Sequence, residues 1–183
     1  LVLLIVALVL INIFVSAAIT QFSTDNWKQN LLQQAHLYAA DAAPLIQKGA
    51  PYAEVQNLAL SQKDNSNVRV TIILPEGLVV GESAVELNLL ENHLLRPEIQ
   101  AALAGRDDTE IRQSTTLNEQ LLYAAVPIQA DGKIIGVARL AIPLNTLQNA
   151  IGTIQKVNFG TMLITAIVAI ALAILLTARG INP

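Results

Sequence analysis

Two basic side chains stand just ahead of a helix start. His93 and Arg96 precede Pro97, and residues 97–105 read as a short helix with proline at its first position and Gly105 past its end. Cations beside the free N–H groups of a helix N-terminus can hold an anion. Glu91 and Glu98 flank the same spot and oppose a phosphate, so an ion pair from Arg96 to a nearby carboxylate is the expected role, with ligand contact the alternative. A second set is Arg112, Ser114 and Thr116, which share one face of a strand over 110–117, with Tyr123 on the neighbouring strand. These polar groups either bind a small ligand or form an exposed polar edge. Arg139 sits mid-strand in an apolar run, where a buried guanidinium needs a partner. A structural salt bridge is expected there, with Asp41 one possible partner.

Other chemistries are excluded. With no cysteine there is no disulfide, no thiolate metal site and no cysteine nucleophile. His36 and His93 are the only histidines and leave little for zinc, so no metal site and no catalytic residue is expected. Net charge is −3, with none of the basic surplus that nucleic acid requires.

The elements that position these residues follow from where the charges fall. All 14 acidic residues, and all 11 basic residues but Arg179, lie between Asp25 and Lys156. The blank flanks are each about the ~20 apolar residues that cross a bilayer. The expected organisation is a transmembrane helix over 1–22, an extracytoplasmic domain over 23–145 and a connecting helix over 146–158. A second transmembrane helix follows over 159–178, then a cytoplasmic linker from 179 to 183. Ser16-Ala17-Ala18 also passes as a signal-peptide cleavage site, but the apolar run before it is long for that. The chain begins without Met and reads as an excerpt of a longer protein. Arg179 alone orients it, placing both ends in the cytoplasm. Phe22, Trp27 and Phe159 suit the membrane–water interfaces. Thr161, Thr165, Ala169, Ala173 and Thr177 recur every four positions, as do Asn12, Ser16 and Thr20. Such stripes let helices approach and bond across in lipid, and dimerisation would make a four-helix membrane bundle.

Between the spans, Leu31, Ala35, Tyr38, Ala42 and Leu45 form a helical stripe available to a dimer partner or to a sheet. A helix over residues 51–61, a polar loop over 63–67, and strands near 68–74, 78–83, 110–117, 120–129 and 133–143 follow. Asp131-Gly132 marks a two-residue hairpin. Pairing Ala130 with Lys133 sets Tyr123 opposite Leu140 and Ala125 opposite Ala138, with apolar residues on both faces. A sheet apolar on both faces should be covered on both. Asn145 with Gln148 forms a capping-box pattern ahead of a helix over 146–178. The fold expected is α+β: a five-stranded antiparallel sheet, long helices on one side and a short helix on the other, flanked by two transmembrane helices.

The segment from Glu91 to Gly105, Leu122–Pro127, Gly136–Pro143 and the hairpin Leu74–Ser83 with its Gly81-Glu82-Ser83 ending resemble the extracytoplasmic region of phosphate-regulon-type sensor histidine kinases. The closing Ala178–Pro183 resembles the opening of a HAMP linker. The resemblance implies a single PAS-like Cache sensor domain, in whose usual pocket Arg112, Ser114 and Tyr123 would lie, with His93 and Arg96 as further ligand-binding candidates. It implies a homodimer in the bacterial inner or plasma membrane and a kinase part that uses ATP and Mg and passes phosphate to a response regulator. These 183 residues carry none of that catalytic machinery and need no cofactor. The expected function is therefore the sensory and transmembrane signalling region of a two-component sensor histidine kinase. Its stimulus would be a small extracytoplasmic ligand or a membrane protein partner. The alternatives are the same module on a chemoreceptor or cyclic-dinucleotide enzyme, or a structural membrane protein that docks a partner.

Overall fold

Turn chemistry and alternation divide the middle of the chain much as its sequence suggests. A computed structural model describes residues 2–61, 68–114 and 117–180. Its elements are α1 (Val2–Gln47), α2 (Tyr52–Leu60), β1 (Arg69–Ile73), β2 (Val79–Glu82), a 3-10 turn (Leu87–Leu89), α3 (Pro97–Leu103), β3 (Asp108–Gln113), β4 (Gln120–Ala130), β5 (Lys133–Pro143) and α4 (Leu144–Gly180). The polar loop 63–67, Thr116 and the last three residues of the HAMP-like segment lie outside the described residues. The chain divides into two units. One is Asn26–Thr146; the other combines Leu1–Asp25 with Leu147–Pro183.

The first unit is built on a five-stranded sheet in the order β2-β1-β5-β4-β3, with all neighbours antiparallel. One face carries residues such as Val70, Ile72, Leu122, Ala124 and Leu140 against α1 and α2. The opposite face meets α3, where Ile73, Val137 and Ala125 pack on Ile99 and Ala102. Both faces are thus covered, as the double-sided apolar pattern requires. The α1 stripe serves the sheet: Leu31, Ala35 and Ala42 are buried in that core, and Tyr38 and Leu45 pack against it. The small side chains at 35, 39 and 42 let the helix lie close to the strands. Trp27, expected at a membrane interface, packs on the same core.

Three local expectations are corrected. First, the β4–β5 hairpin closes at Asp131-Gly132, both with positive φ (49° and 74°), and Ala130 does pair with Lys133. A bulge between Ile128 and Gln129 then slips the register by one, so that Tyr123 faces Ala141 and Ala125 faces Arg139. A one-residue slip changes which face a partner occupies. Tyr123 thereby shares a face with Arg139. Second, β3 stops at Gln113, because the Ser114 N–H bonds the Glu119 carbonyl (2.8 Å) and Asn118 turns with φ 52°. Third, α4 begins at Leu144 directly after β5, so Asn145 lies inside its first turn, where its Oδ1 accepts the Thr146 hydroxyl at 3.4 Å. Pro143 ends the strand, and its ring already holds φ near the helical value.

In the second unit, the α1 stripe of Asn12, Ser16 and Thr20 is half-buried. Gln155 Nε2 donates to Thr20 Oγ1 at 2.9 Å, and Asn12 lines a groove with Asn158 and Met162. Among the described residues Thr161 and Thr165 do not bond across to the neighbouring helix. Their hydroxyls donate to the Asn158 and Thr161 carbonyls of their own helix at 2.8 Å, the usual back-bond of a helical threonine. Ala169 is half-buried. Among the described residues one helix, Leu144–Arg179, is long and apolar enough to cross a membrane, with mean hydropathy 2.6 over its apolar window.

Candidate functional site

The sheet face under α3 gathers charge where a core would ordinarily be apolar. Arg69 and Thr71 on β1, Glu82 on β2 and Arg139 on β5 are all buried there, joined by Glu98 from the first turn of α3 and His93 from the loop before it. Arg112 and Tyr123, from β3 and β4, complete the set. Register explains the gathering. Thr71 pairs with both Glu82 and Arg139, and Arg69 pairs with Ala141, so one stripe across three strands carries the polar side chains.

The cluster has two parts with different chemistry. In the first, Arg69 donates Nε to Glu82 Oε1 (2.9 Å) and Nη2 to Glu82 Oε2 (3.1 Å). Thr71 Oγ1 donates to Oε2 (3.0 Å) and the Ala84 N–H to Oε1 (2.9 Å). Gln56 of α2 holds the Glu82 backbone from both sides, at 2.8 Å each way. Every lone-pair direction that matters is used, which is what a buried carboxylate needs to be stable.

The second part is unfinished. Glu98 Oε1 accepts from Arg112 Nη2 (2.9 Å) and Arg139 Nη1 (3.4 Å). Among the described residues Glu98 Oε2, Arg112 Nε, Arg139 Nε and His93 Nδ1 are buried and make no hydrogen bond. Both guanidiniums also lie over the Tyr123 ring, at 4.2 Å and 5.0 Å from its centroid, a cation–π arrangement that helps hold them together. Arg139 Nη2 donates to Thr71 Oγ1 (3.2 Å) and so ties the two parts.

Electrostatics follow the burial. Burial pushes the Glu98 carboxyl up, but the hydrogen bond from Arg112, the approach of its own backbone N–H and the fields of Arg112 and Arg139 outweigh it, leaving the group below its usual range and ionised. Burial draws the Arg139 guanidinium down to about 10, against the pull of Glu98, so it stays charged at neutral pH. Burial, then the field of Arg139, lowers His93 to about 4, so it is neutral.

The candidates read from the sequence separate here. Arg112, Tyr123 and His93 join the cluster. Ser114 is buried, but its hydroxyl accepts the Leu117 N–H (3.2 Å) and shapes the β3–β4 turn. Arg96, expected in an ion pair, is half-buried at the N-cap of α3 and makes none among the described residues; its backbone N–H bonds the His93 carbonyl. Arg139 has the salt bridge expected, but with Glu98; Asp41 is exposed on α1, under the opposite face. The sequence does not mark Arg69, Glu82 and Glu98 as a set. Their signal was a guanidinium and a carboxylate within strands whose every residue is buried. Among the described residues no group of three or more His, Asp or Glu is placed to hold a metal ion. A cavity of about 490 Å³ opens beside α2, on Ile46, Tyr52, Val55, Leu74 and Val80, and among the described residues no ionisable side chain other than Tyr52 lines it.

An antiparallel five-stranded sheet between a long N-terminal helix and a short helix is the architecture of Cache/PAS-like sensor domains, and solved structures of that class match. The ligand-binding domain of the Campylobacter jejuni chemoreceptor Tlp3, in complex with 4-methylisoleucine, matches with TM-score 0.60 and 23% identity over 73% of this chain and 58% of that one. The sensor domain of the V. cholerae histidine kinase DctB matches with TM-score 0.61 and 15% identity, over 73% and 55%. The E. coli DcuS sensor domain matches with TM-score 0.54 and 19% identity, over 68% of this chain and 97% of that one. The chain thus spans less than two thirds of the first two. No family model matches the sequence, and comparison with curated proteins finds no match.

Proposed function

We propose that this chain is the sensory and transmembrane signalling region of a membrane-bound sensor histidine kinase, resembling the phosphate-regulon type. It is a homodimer that passes the membrane twice, with the sheet domain outside the cytoplasm. The observation that carries the reading is a Cache/PAS-like fold whose last strand, β5, runs without a loop into α4, the helix that is long and apolar enough to span. A small extracytoplasmic ligand is the favoured stimulus, because the face under α3 holds buried charged groups with unused hydrogen-bonding capacity. A ligand shifts such a domain only by its differential affinity for two states, and α4 then carries the change to a HAMP-like linker and to kinase domains that use ATP and Mg. A response regulator receives the phosphoryl group. A chemoreceptor output is the second reading, favoured by the likeness to the Tlp3 domain.

The test uses the absence of native cysteine in this chain. Single cysteines placed along residues 146–160 are oxidised across the dimer in membrane vesicles of the full-length receptor, and autophosphorylation is measured. Crosslinks at successive positions should lock activity alternately high and low. Uniform activity at every crosslinked position would sink signalling through α4. No autophosphorylation in any state, with altered adaptor-kinase coupling instead, would favour the chemoreceptor output.

A further inference from the structure

The two carboxylates under α3 are held in contrasting ways. Glu82 has both oxygens committed, in a bidentate pair with Arg69 and further bonds from Thr71 and the Ala84 N–H. Glu98 uses one oxygen for two guanidiniums, the longer contact being 3.4 Å, and leaves Oε2 unpartnered. Arg112 and Arg139 each offer it a single Nη and keep a buried Nε unpartnered. A guanidinium binds a carboxylate best through two parallel N–H groups, and neither arginine achieves this. The two glutamates also differ in what carries them. Glu82 lies on edge strand β2, paired with β1 and gripped at its backbone by Gln56 of α2, whereas Glu98 rides on a seven-residue helix.

From this contrast we infer that Glu98 is a tethered competitor: its carboxylate occupies a site built for the carboxylate of a small free ligand, which displaces it and shifts α3. Arg112 and Arg139 are the receiving groups, stacked on Tyr123, and an entering carboxylate takes up the Nε donors that Glu98 leaves unused. Displaced Glu98 no longer ties α3 to β3 and β5, so occupancy becomes movement of that helix. His93, buried and neutral beside Arg139, adds no competing positive charge. The ligand class is read from Glu98 itself, because the group already seated between the arginines is a carboxylate. The inference rests on taking the domain as a sensor, but the test reads binding alone and is separate from crosslinking of α4.

The test titrates the full chain in detergent micelles. Ala104→Cys, exposed at the end of α3, carries an environment-sensitive fluorophore, and acetate is compared with chloride at matched ionic strength. Wild type should give a saturable acetate response, and Glu98→Gln should reach the same end point at about tenfold lower acetate. Adding Arg112→Met to Glu98→Gln should abolish the response. Glu98→Asp, whose shorter arm withdraws the carboxylate, should also bind acetate more tightly and stands in if Glu98→Gln does not fold. If wild type responds no differently to acetate and chloride while Glu98→Gln responds to acetate, Glu98 is a closed structural pair and the inference fails. It fails equally if neither protein distinguishes the two anions.

Discussion

Glu82→Ala is the sharpest probe of how the charged face is held. The substitution removes four hydrogen bonds at 2.9–3.1 Å and leaves Arg69 buried, only 6% exposed, with no counter-charge. Breaking a buried pair from one side costs about 3–5 kcal/mol, chiefly because the remaining charge is stranded. For a unit of this size, each kcal/mol moves Tm by roughly 4 °C, so a fall of about 12–20 °C is expected. Replacing both partners with apolar residues of similar volume, Arg69→Met with Glu82→Leu, removes the stranded charge and should recover most of that loss, to within about 2 kcal/mol of wild type. Trp27 is the chain's only tryptophan and packs on the sheet core, so its fluorescence during thermal unfolding in detergent reports on this unit. The reasoning is refuted if Glu82→Ala costs less than about 1 kcal/mol. It is also refuted if the double variant is as unstable as the single one, since the loss would then come from packing rather than charge.

Three further outcomes are expected. Because His93 titrates near 4 when folded and near 6.5 when unfolded, the unfolded chain binds more protons between those values; stability is full above about pH 6.5 and falls by about 3 kcal/mol as pH drops to 4, a slope that His93→Gln should flatten in pH-dependent melts. Gly81→Ala should cost about 1–3 kcal/mol by the same melts, since an added Cβ would lie 2.9 Å from the Val55 carbonyl oxygen and force α2 off the sheet. Gln155→Leu removes the 2.9 Å bond to Thr20, and a thermal melt should detect a loss of no more than about 0.6 kcal/mol, the mean for such bonds in lipid, on the proposal that both helices cross the membrane.

The architecture was legible because its signals are local. The Asp131-Gly132 turn, the Pro97 start of α3 and the alternation in β4 and β5 each act over a few residues, and together they define a sheet covered on both sides. The bulge at Ile128/Gln129 has no such marker: neither residue is a glycine, and the register slip shows only in the pairing. That slip decides whether Tyr123 lies on the face of Arg139, so the composition of the site was hidden behind one irregular step. Glu98 was hidden by distance. Its partners are 14 and 41 residues away in sequence, and from the sequence alone it looked like a repelling charge beside Arg96. Arg69 and Glu82 were open to inference: once both faces of β4 and β5 are known to be covered, β1 between β2 and β5 must be covered too. Arg69 then cannot point to solvent.

The two faces of the sheet therefore differ in how freely they can change. On the α1 and α2 side, methyl groups meet methyl groups, and any displacement opens a cavity whose cost grows with its volume. On the α3 side the finished Arg69–Glu82 pair fixes β1 to β2, while the contacts of Glu98 with Arg112 and Arg139 are few and long on one arm. A buried ion pair adds little net stability when its partners are imperfectly matched, so on the proposal that a free carboxylate displaces Glu98, the exchange would be nearly neutral in energy and would free α3 to move. On the proposed sensory role, low cost of exchange combined with displacement of a helix is what the receiving face would require. The apolar face opposite supplies the fixed frame against which that displacement is registered.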